Sequence, residues 1–486
     1  MQSYDNDPVL KLGTFAQMKK DKLKKIFENV EVIDTSSEGL AVAKVEDLVV
    51  FVQGAVPGDL IDLKITRFKK SFAEGVIERL VVPSPDRVGA RCEHFGICGG
   101  CKWQHLNYSA QLKFKQKVVY DAFKRIGGIE NPVINAIIPS EENYYYRNKL
   151  DFTFSSKRWL TKEVIESGEY FDNRNGLGFH LPGLFDKILD INECHLQPSP
   201  SNEIRLEIKK YAVENFLPFF DIREKTGFLR TLMIRTSSTG EVMVLVAFFE
   251  ERKETIKNLL EHIKERFPKI TSLLYVINPK MNDTFADLPV FTFSGKDFIE
   301  EKMEELRFRV GPKSFYQTNS KQAHQLYKVA REFAQLTGNE VVYDLYTGTG
   351  TIANFVASKA SRVVGVDYIT AAIEDAIINS SVNNISNTRF FSGDMKDVFT
   401  DHFVSENGKP DVIITDPPRA GMHEDVNQVI LNSGAKRVVY VSCNPATQAR
   451  DLISLSKKYE LKKTQPVDMF PHTHHVENII LLELRN

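Results

Sequence analysis

Residues 341–351 read VVYDLYTGTGT, an apolar run that ends in an acidic residue and passes into a turn with two glycines. The run predicts a buried β-strand, and the turn opens a predicted helix. Glycines in such a turn let the backbone pass close to a ligand at the carboxyl end of the strand. Asp367 ends the next predicted strand, nineteen residues after Gly348. Because a carboxylate there can accept hydrogen bonds from two ribose hydroxyls, the pattern predicts a site for an adenosine cofactor.

The same alternation continues along the C-terminal part of the chain. Strand-like runs occur at VVYDLY, RVVGVD, TRFFSGD, DVIITD, RVVYVSC and ENIILLEL, mostly with helical segments between them. This alternation predicts a doubly wound α/β domain, which we assign to residues 309–486. Asp394 ends the third strand, where it would meet an adenine ring, and Asp416 ends the fourth and would face the centre of the cleft. The alternative is that these aspartates only cap the helices that follow.

Two cofactors remain compatible with this domain: a nicotinamide for hydride transfer and S-adenosylmethionine for methyl transfer. The fourth strand is followed by Asp416-Pro417-Pro418-Arg419, a rigid loop of the type that methyltransferases place beside a target base. Enzymes that methylate exocyclic amines have an aromatic residue after the two prolines. Arg419 occupies that position, so amine methylation is disfavoured.

A cysteine follows the fifth strand, in the sequence Ser442-Cys443-Asn444-Pro445. Asn444 is a candidate helix N-cap and Pro445 suits the first helical position, and a helix N-terminus favours a thiolate. Carbon-5 of a pyrimidine becomes nucleophilic only after a thiolate adds to carbon-6, and a base must then remove the carbon-5 proton. Glu477, at the start of the last strand, is the candidate base. The alternative is that Cys443 is a small buried apolar residue.

The first part of the chain has a different pattern. Short β-rich runs between residues 30 and 82 alternate with turns such as Glu38-Gly39, which predicts a small antiparallel barrel over residues 30–86 after an extension at 1–29. Residues 62–125 contain thirteen Lys and Arg against six Asp and Glu. Such an excess suits a nucleic-acid backbone, although it also fits an ordinary solvated surface. Residues 87–308 predict a mixed α+β central domain.

Composition limits the possible functions. The chain has 486 residues with 42% hydrophobic and 26% charged residues, typical of a globular protein of about three domains. Its net charge of -1 means that a polyanion must be held by a local basic patch. The longest apolar run has eight residues, at 242–249, and the first residues lack an apolar signal core, so we expect a cytoplasmic protein without membrane contact. The oligomeric state is undetermined, and we assume a monomer.

Four of the five cysteines form a second candidate site. They have C-x5-C-x2-C spacing followed by a distant fourth member, and they are Cys92, Cys98, Cys101 and Cys194. Five cysteines in so long a chain are too few for a disulfide framework, which favours metal binding or catalysis. Four thiolates would satisfy either a zinc ion or an iron-sulfur cluster, and the spacing does not choose between them.

Taken together, these residues resemble the RNA uracil-C5 methyltransferase family over nearly the whole chain. The ordered motifs are EGLAVAKV with FVQGAVPGD, CEHFGICGGC, YYYRNKLDF, LGFHLPGLFDKILDINECHL, FYQTN, DLYTGTGT, DPPR, SCNP and DMFPHTHHVEN. The resemblance implies an N-terminal TRAM barrel of OB type, a central RNA-contacting domain and a Rossmann-like class I methyltransferase domain. It also implies Cys443 as nucleophile and Glu477 as proton acceptor. The implied S-adenosylmethionine contacts are Gln317, Tyr346, Gly348, Thr351, Asp367, Asp394 and Asp416. The family usually has Cys and Asn where this chain has Thr347 and Thr351.

The cysteine pattern is similar to a branch of this family that carries a [4Fe-4S] cluster and methylates 23S ribosomal RNA. The resemblance therefore implies a structural cluster and an RNA partner, with 23S rRNA as the expected substrate. A target uracil must be flipped out of folded RNA, and Arg147, Arg230 and Arg235 are candidate phosphate partners, with structural ion pairs as the alternative. The competing functions are tRNA uridine methylation and a non-catalytic RNA-binding assembly factor. A DNA cytosine methyltransferase would have Cys between Pro and Gln, which this chain lacks.

Overall fold

The computed structural model describes residues 25–168 and 174–485. Its contacts divide the chain into two compact units. The smaller unit contains the N-terminal barrel together with residues 100–114 and 472–474. The larger unit contains residues 97–99, 115–471 and 475–486. Of the predicted extension, residues 1–24 lie outside the described residues.

The N-terminal strands close into a five-stranded barrel in the order β1-β2-β3-β5-β4. The strands are β1 Ile26–Thr35, β2 Ala41–Val45, β3 Leu48–Gln53, β4 Leu60–Phe68 and β5 Ala73–Val82. The alternating pattern buries one side of each strand, with Val32, Val50 and Leu63 completely buried inside the barrel. The predicted barrel is confirmed, except that β3 and β5 pair in parallel whereas the prediction was antiparallel throughout.

The segment after the cysteine loop is tied to this barrel. The Trp103 indole Nε1–H donates to the Gly39 carbonyl at 3.0 Å, and the backbone N–H groups of Lys102 and Trp103 donate to the His472 carbonyl. Gly39 has φ +78°, and a Cβ there would lie 2.8 Å from the Cβ of His474, so only glycine fits this turn. The first helix, α1, spans Tyr108–Arg125 and begins one residue before the predicted Ser109.

The central domain, in the larger unit, is built on a seven-stranded mixed sheet in the order β12-β11-β10-β9-β6-β7-β8. Its strands are β6 Lys149–Ser155, β7 Gly176–Leu181, β8 Leu184–Asp190, β9 Leu229–Thr236, β10 Val242–Phe248, β11 Ser272–Ile277 and β12 Val290–Gly295, and its helices are α2 Lys162–Glu166, α3 Ser201–Glu214 and α4 Lys253–Arg266. The apolar sides of α3 and α4 pack into one core with this sheet. A hairpin of β13, Ile299–Met303, and β14, Leu306–Val310, leads into the C-terminal domain.

The C-terminal domain has the predicted α/β architecture, with strand order β17-β16-β15-β18-β19-β21-β20. The strands are β15 Val341–Leu345, β16 Arg362–Asp367, β17 Thr388–Ser392, β18 Val412–Thr415, β19 Arg437–Ser442, β20 Tyr459–Val467 and β21 Glu477–Leu484. The helices are α5 Ser320–Ala334, α6 Thr351–Ala357, α7 Thr370–Val382, α8 Met395–Val398, α9 Asp401–Asn407, α10 Glu424–Ser433 and α11 Pro445–Leu455. Five strands are parallel. β21 pairs antiparallel with β19, and β20 pairs antiparallel with β21.

The sequence prediction missed β20. Its residues, YELKKTQPV, are largely polar and include a proline. Such a strand is tolerated because β20 is an edge strand, where one side of the backbone needs no ladder partner.

A continuous apolar core joins the central sheet to the C-terminal domain inside the larger unit. Met243 and Leu274 of the central sheet belong to the same buried cluster as Leu326 of α5 and Val439 of β19. Tyr316, in the segment that connects the two domains, belongs to the same cluster. Among the described residues, no helix is both long enough and apolar enough to cross a membrane.

Candidate active site

The predicted catalytic residues meet at the carboxyl edge of the parallel strands. Cys443 directly follows β19, and Glu477 begins the neighbouring antiparallel strand β21. The last pair of that ladder joins Ser442 to Asn478, so Cys443 directly follows one end of the ladder and Glu477 directly precedes the other. The Glu477 carboxylate is close enough to act on the pKa of the Cys443 thiol. Asp416 follows β18, the strand on the other side of β19, and therefore lies at the same edge.

The Cys443 thiol is strongly influenced by these carboxyls. Burial raises the pKa of Cys443 to about 12, the carboxylates of Glu477 and Asp416 act in the same direction, and Arg419 opposes them. Asn444 is the N-cap of α11 and Pro445 its first residue, as predicted, with the Asn444 side chain accepting from Ala446 N at 3.1 Å. In the structure described here, burial and two carboxylates outweigh any effect of this helix end, so the pKa of the Cys443 thiol is raised.

Glu477 and Asp416 are acids with unusually high pKa values. Glu477 is only 6% exposed, and burial, followed by the nearby Asp416 carboxylate, raises its pKa to about 8. Burial also raises the pKa of Asp416 to about 7. A carboxyl with a pKa near neutrality can both accept and release a proton under physiological conditions. The chemistry that Glu477 can perform is therefore proton transfer.

The glycine turn after β15 adopts left-handed backbone conformations. Gly350 has φ +72°, and a Cβ at this position would lie 2.8 Å from the Cβ of Ala376, so only glycine fits. Gly348 donates its N–H to the Asp367 carboxylate at 3.0 Å, and Ile369 N–H donates to the other oxygen at 2.9 Å. Each oxygen of Asp367 keeps a free lone pair, so the carboxylate can still accept hydrogen bonds from ribose hydroxyls.

Asp344 is a site residue that the sequence analysis missed. It is fully buried, and its Oδ2 accepts hydrogen bonds from Thr347 Oγ1 at 2.6 Å and from Ala353 N at 3.1 Å. Its Oδ1 is buried and has no hydrogen-bond partner within residues 25–168 and 174–485. Burial raises the pKa of Asp344 to about 7, and the carboxylates of Asp416 and Asp367 act in the same direction. The available signal was an acidic residue inside the apolar run VVYDLY.

The other predicted cofactor contacts surround this turn. Burial raises the pKa of Tyr346 to about 12, with Asp451 and then Asp394 and Asp367 contributing. Thr351 begins α6, and its hydroxyl shares a hydrogen bond with Thr349 Oγ1 at 3.2 Å.

Asp394 and Gln317 have different surroundings. Asp394 is exposed and caps α8 by accepting from Lys396 N at 3.2 Å, so the capping alternative applies to it, and its second oxygen lies 3.7 Å from the ammonium of the same lysine. The Gln317 side chain lies near enough to the Tyr327 hydroxyl to act on its pKa, which it lowers. Tyr327 is buried and its pKa is raised well above the usual range, first by burial and then by the Asp416 carboxylate. Gln317 therefore lies close to the cleft that contains Asp416.

The four predicted metal-binding cysteines are all partly buried, and two of them lie in each unit. Cys98 and Cys194, in the larger unit, border the same small apolar cluster around Leu189 and Ile191. Cys92 and Cys101 belong to the smaller unit. In the part of the chain that the structure describes, no three His, Cys, Asp or Glu side chains are arranged to hold a metal ion. Because Cys98 and Cys194 border the same apolar cluster of side chains, they are compatible with a common ligand. The four-cysteine site as a whole stays a prediction.

Two of the three candidate RNA-binding arginines are structural. Arg230 is 1% exposed and donates to backbone carbonyls, including that of Asn278 at 2.9 Å, and pairs with Asp283. Arg235 is 4% exposed and donates to the Ser314 carbonyl at 3.2 Å. Arg147 is only half-buried, with its guanidinium 6.0 Å from the centre of the Phe470 ring. Arg147 therefore remains the one of the three with an accessible charge.

Comparison with known proteins agrees with this geometry. A family model described as tRNA (Uracil-5-)-methyltransferase matches residues 291–485, and a TRAM domain model matches residues 28–77. A Bacteroides thetaiotaomicron protein named as an uncharacterized RNA methyltransferase is 57% identical over 453 residues, covering 93% of this chain and 100% of its own length. The chain belongs to the RNA (uracil-5)-methyltransferase family. It is an S-adenosylmethionine-dependent RNA methyltransferase with a TRAM domain.

Two further relatives support this family assignment. A Chlorobaculum tepidum protein, also named as an uncharacterized RNA methyltransferase, is 35% identical, covering 90% of this chain and 92% of its own length. The crystal structure of the Pyrococcus abyssi tRNA (uracil-54, C5)-methyltransferase in complex with S-adenosyl-L-homocysteine is similar with a TM-score of 0.72 and 29% identity, covering 94% of this chain and 100% of that one. The family resemblance and the fold class inferred from the sequence are thus confirmed.

Proposed function

We propose that this member of the family methylates carbon-5 of a specific uridine through a covalent adduct with Cys443, and that Glu477 is the base that completes the reaction. The observation that carries the proposal is the last pair of β19 and β21, Ser442 with Asn478, which is directly followed by Cys443 and directly preceded by Glu477, a buried glutamate whose pKa is raised to about 8. A nucleophile and a base at the ends of neighbouring strands can act on adjacent carbons of one ring.

The proposed reaction begins when the partly buried Cys443 thiol gives its proton to water. The thiolate adds to carbon-6 of the uracil, and the ring electrons move to carbon-5 and the carbonyl oxygen, which makes carbon-5 nucleophilic. S-adenosylmethionine supplies the methyl group on a sulfonium and departs as the neutral thioether. Glu477 then takes the proton from carbon-5, the ring double bond re-forms, and the Cys443 thiolate leaves. Its pKa of about 8 makes the Glu477 carboxylate a stronger base than an exposed glutamate.

The charge balance of the cleft fits a cationic ligand. Asp344, Asp416 and Glu477 all have raised pKa values because they are buried near one another. A bound sulfonium and ammonium would stabilise their ionised forms and lower the cost of a thiolate at Cys443. The Asp344 oxygen without a partner suits an ammonium donor. Gln317, Tyr346, Gly348, Thr351, Asp367, Asp394 and Asp416 are the other proposed cofactor contacts.

For the substrate we propose 23S rRNA, with tRNA as the alternative. The proposal depends on the resemblance of the four-cysteine pattern to the rRNA-modifying branch, whereas the Pyrococcus abyssi relative is named for tRNA uracil-54. We also propose that Cys92, Cys98, Cys101 and Cys194 hold a structural [4Fe-4S] cluster. Thiolates are soft ligands, so they suit such a cluster better than they suit a hard cation. The protein would act in the cytoplasm, where its RNA is made.

The test is to map 5-methyluridine in RNA from a strain that lacks the gene. Loss of the modified base at one or more 23S rRNA positions, restored by the parent gene and not by Cys443→Ala, would support both the chemistry and the substrate. Loss only in tRNA would favour the alternative substrate. Restoration of every modification by Cys443→Ala would rule out a catalytic role for this cysteine. Unchanged RNA with defective ribosome assembly would favour a non-catalytic assembly factor.

A further inference from the structure

Asn148 links the central domain to the turn that carries Gln317. It directly precedes β6 and is 8% exposed. Its side-chain Nδ2 donates to the Gln317 carbonyl at 3.0 Å, and its backbone N–H donates to the Thr318 carbonyl at 2.8 Å. The backbone of two consecutive residues of the turn is therefore held by one asparagine. Neither the chemistry proposed above nor the motif comparison assigns Asn148 a role.

A buried acid fixes Asn148 and the helix that follows the turn. The Ser320 hydroxyl donates to Glu301 Oε1 at 2.8 Å and accepts from Asn148 Nδ2 at 2.8 Å. Glu301 is 2% exposed, and its other carboxylate oxygen accepts from Ser238 N at 3.1 Å. Since every link in this chain of hydrogen bonds is buried or partly buried, loss of one member leaves its partners without a replacement from water.

The turn held in this way lies against the cofactor turn. The Thr349 hydroxyl donates to the Phe315 carbonyl at 3.4 Å. At the other end of the turn, Asn319 caps α5 and donates its Nδ2 to the Met469 carbonyl at 2.9 Å. Between these two contacts the Gln317 side chain lies near Tyr327, whose hydroxyl is also influenced by the Asp416 carboxylate. A shift of the Gln317 backbone would therefore move its amide relative to the cleft.

We propose that Asn148 is a positioning residue, which holds the backbone of Gln317 so that its side-chain amide contacts the cofactor. This inference rests on the proposed role of Gln317 as a cofactor contact. Asn148 acts through Gln317 and touches no reacting atom. Its effect is expected on cofactor affinity and not on the chemical step.

A matched control separates positioning from simple structural support. Asn278 is 1% exposed, and it also donates its Nδ2 to a backbone carbonyl, that of Asn282, at 3.0 Å. It holds a loop of the central domain through residues 282–284. Asn148→Ala and Asn278→Ala therefore remove the same kind of buried group from the same domain. Both should lower the melting temperature.

The experiment measures the dissociation constant of S-adenosylhomocysteine by calorimetry on the full chain, without RNA. Asn148→Ala should raise it about 3- to 10-fold, which is what one neutral hydrogen bond is worth, and Asn278→Ala should leave it within about twofold of the parent. At saturating S-adenosylmethionine, kcat for RNA methylation should be nearly unchanged in both variants. If Asn148→Ala does not fold, Asn148→Leu keeps nearly the same shape, loses the side-chain N–H donors and should weaken binding similarly.

A double-mutant cycle with Gln317→Ala tests the route of the effect. If Asn148 acts through Gln317, Asn148→Ala should change the affinity little once Gln317 is truncated. Full additivity of the two substitutions would overturn the inference, as would an Asn148→Ala protein with parental affinity or a parent that binds no S-adenosylhomocysteine. Because the readout needs no RNA, a parent that binds this ligand but forms no 5-methyluridine would refute the proposed function and leave the inference standing.

Discussion

Replacing Glu477 by glutamine should make the protein more stable at alkaline pH. A carboxyl whose pKa is higher in the folded than in the unfolded protein contributes stability below its unfolded pKa and loses it as the pH rises through its folded pKa. For Glu477 these values are 4.5 and about 8. The parent protein should therefore lose stability progressively between these two pH values. Glutamine has nearly the same shape and does not ionise, so the variant lacks this loss.

The size of the effect follows from the pKa difference. Each pH unit of difference corresponds to about 1.4 kcal/mol, which gives up to about 5 kcal/mol for a group as buried as Glu477. Because Asp416 lies nearby and also has a raised pKa, part of this destabilisation is shared between the two carboxyls. At pH 5 the parent and the variant should melt at similar temperatures. At pH 9 the variant should melt up to about 10–20 °C higher, at about 2–4 °C per kcal/mol for a domain of this size.

The assay is thermal unfolding of both proteins from pH 5 to pH 9 at constant ionic strength. Glu305→Gln is the matched control, since the Glu305 side chain is 96% exposed and lies 4.0 Å from the ammonium of Lys302. The control and the parent should give parallel curves. If the difference in melting temperature between Glu477→Gln and the parent were the same at both ends of the pH range, the raised pKa of Glu477 would be refuted.

In the catalytic pair, Cys443→Ala should abolish methyl transfer while S-adenosylmethionine still binds, and Glu477→Gln should stay covalently attached to methylated RNA, seen as a protease-sensitive shifted band on a denaturing gel. A band that persisted in the double variant would exclude Cys443 as nucleophile. The four-cysteine site should make anaerobically purified protein brown, with broad absorbance near ~400 nm, whereas colourless protein with stoichiometric zinc and no iron would contradict the cluster. Deleting the residues before about 109 should weaken RNA binding and flatten its salt dependence, and equal binding at every salt concentration would show that the basic segment is ordinary surface.

Some elements escaped the sequence analysis for physical reasons. The edge strand β20 has no apolar periodicity, because only part of it faces a core. Arg230 and Arg235 were predicted as surface cations, because the sequence around them does not show that they donate to backbone carbonyls from residues 278–314. Asp344 was passed over because its burial depends on α6 and the glycine turn folding back onto β15.

The amino-acid sequence by itself determined the barrel, the parallel order of the α/β domain and the identity of the candidate nucleophile, base and cofactor turn. These properties follow from local periodicity, from glycines that only certain turns require, and from motifs whose spacing can be measured along the chain. Only the tertiary structure decided the protonation of the cleft and the anchoring of Gln317. The pKa of Cys443 depends on burial and on carboxylates from β18 and β21, and the position of Gln317 depends on Asn148, which lies 169 residues away. Electrostatic and hydrogen-bond effects of this kind depend on distance in space, which local sequence does not encode.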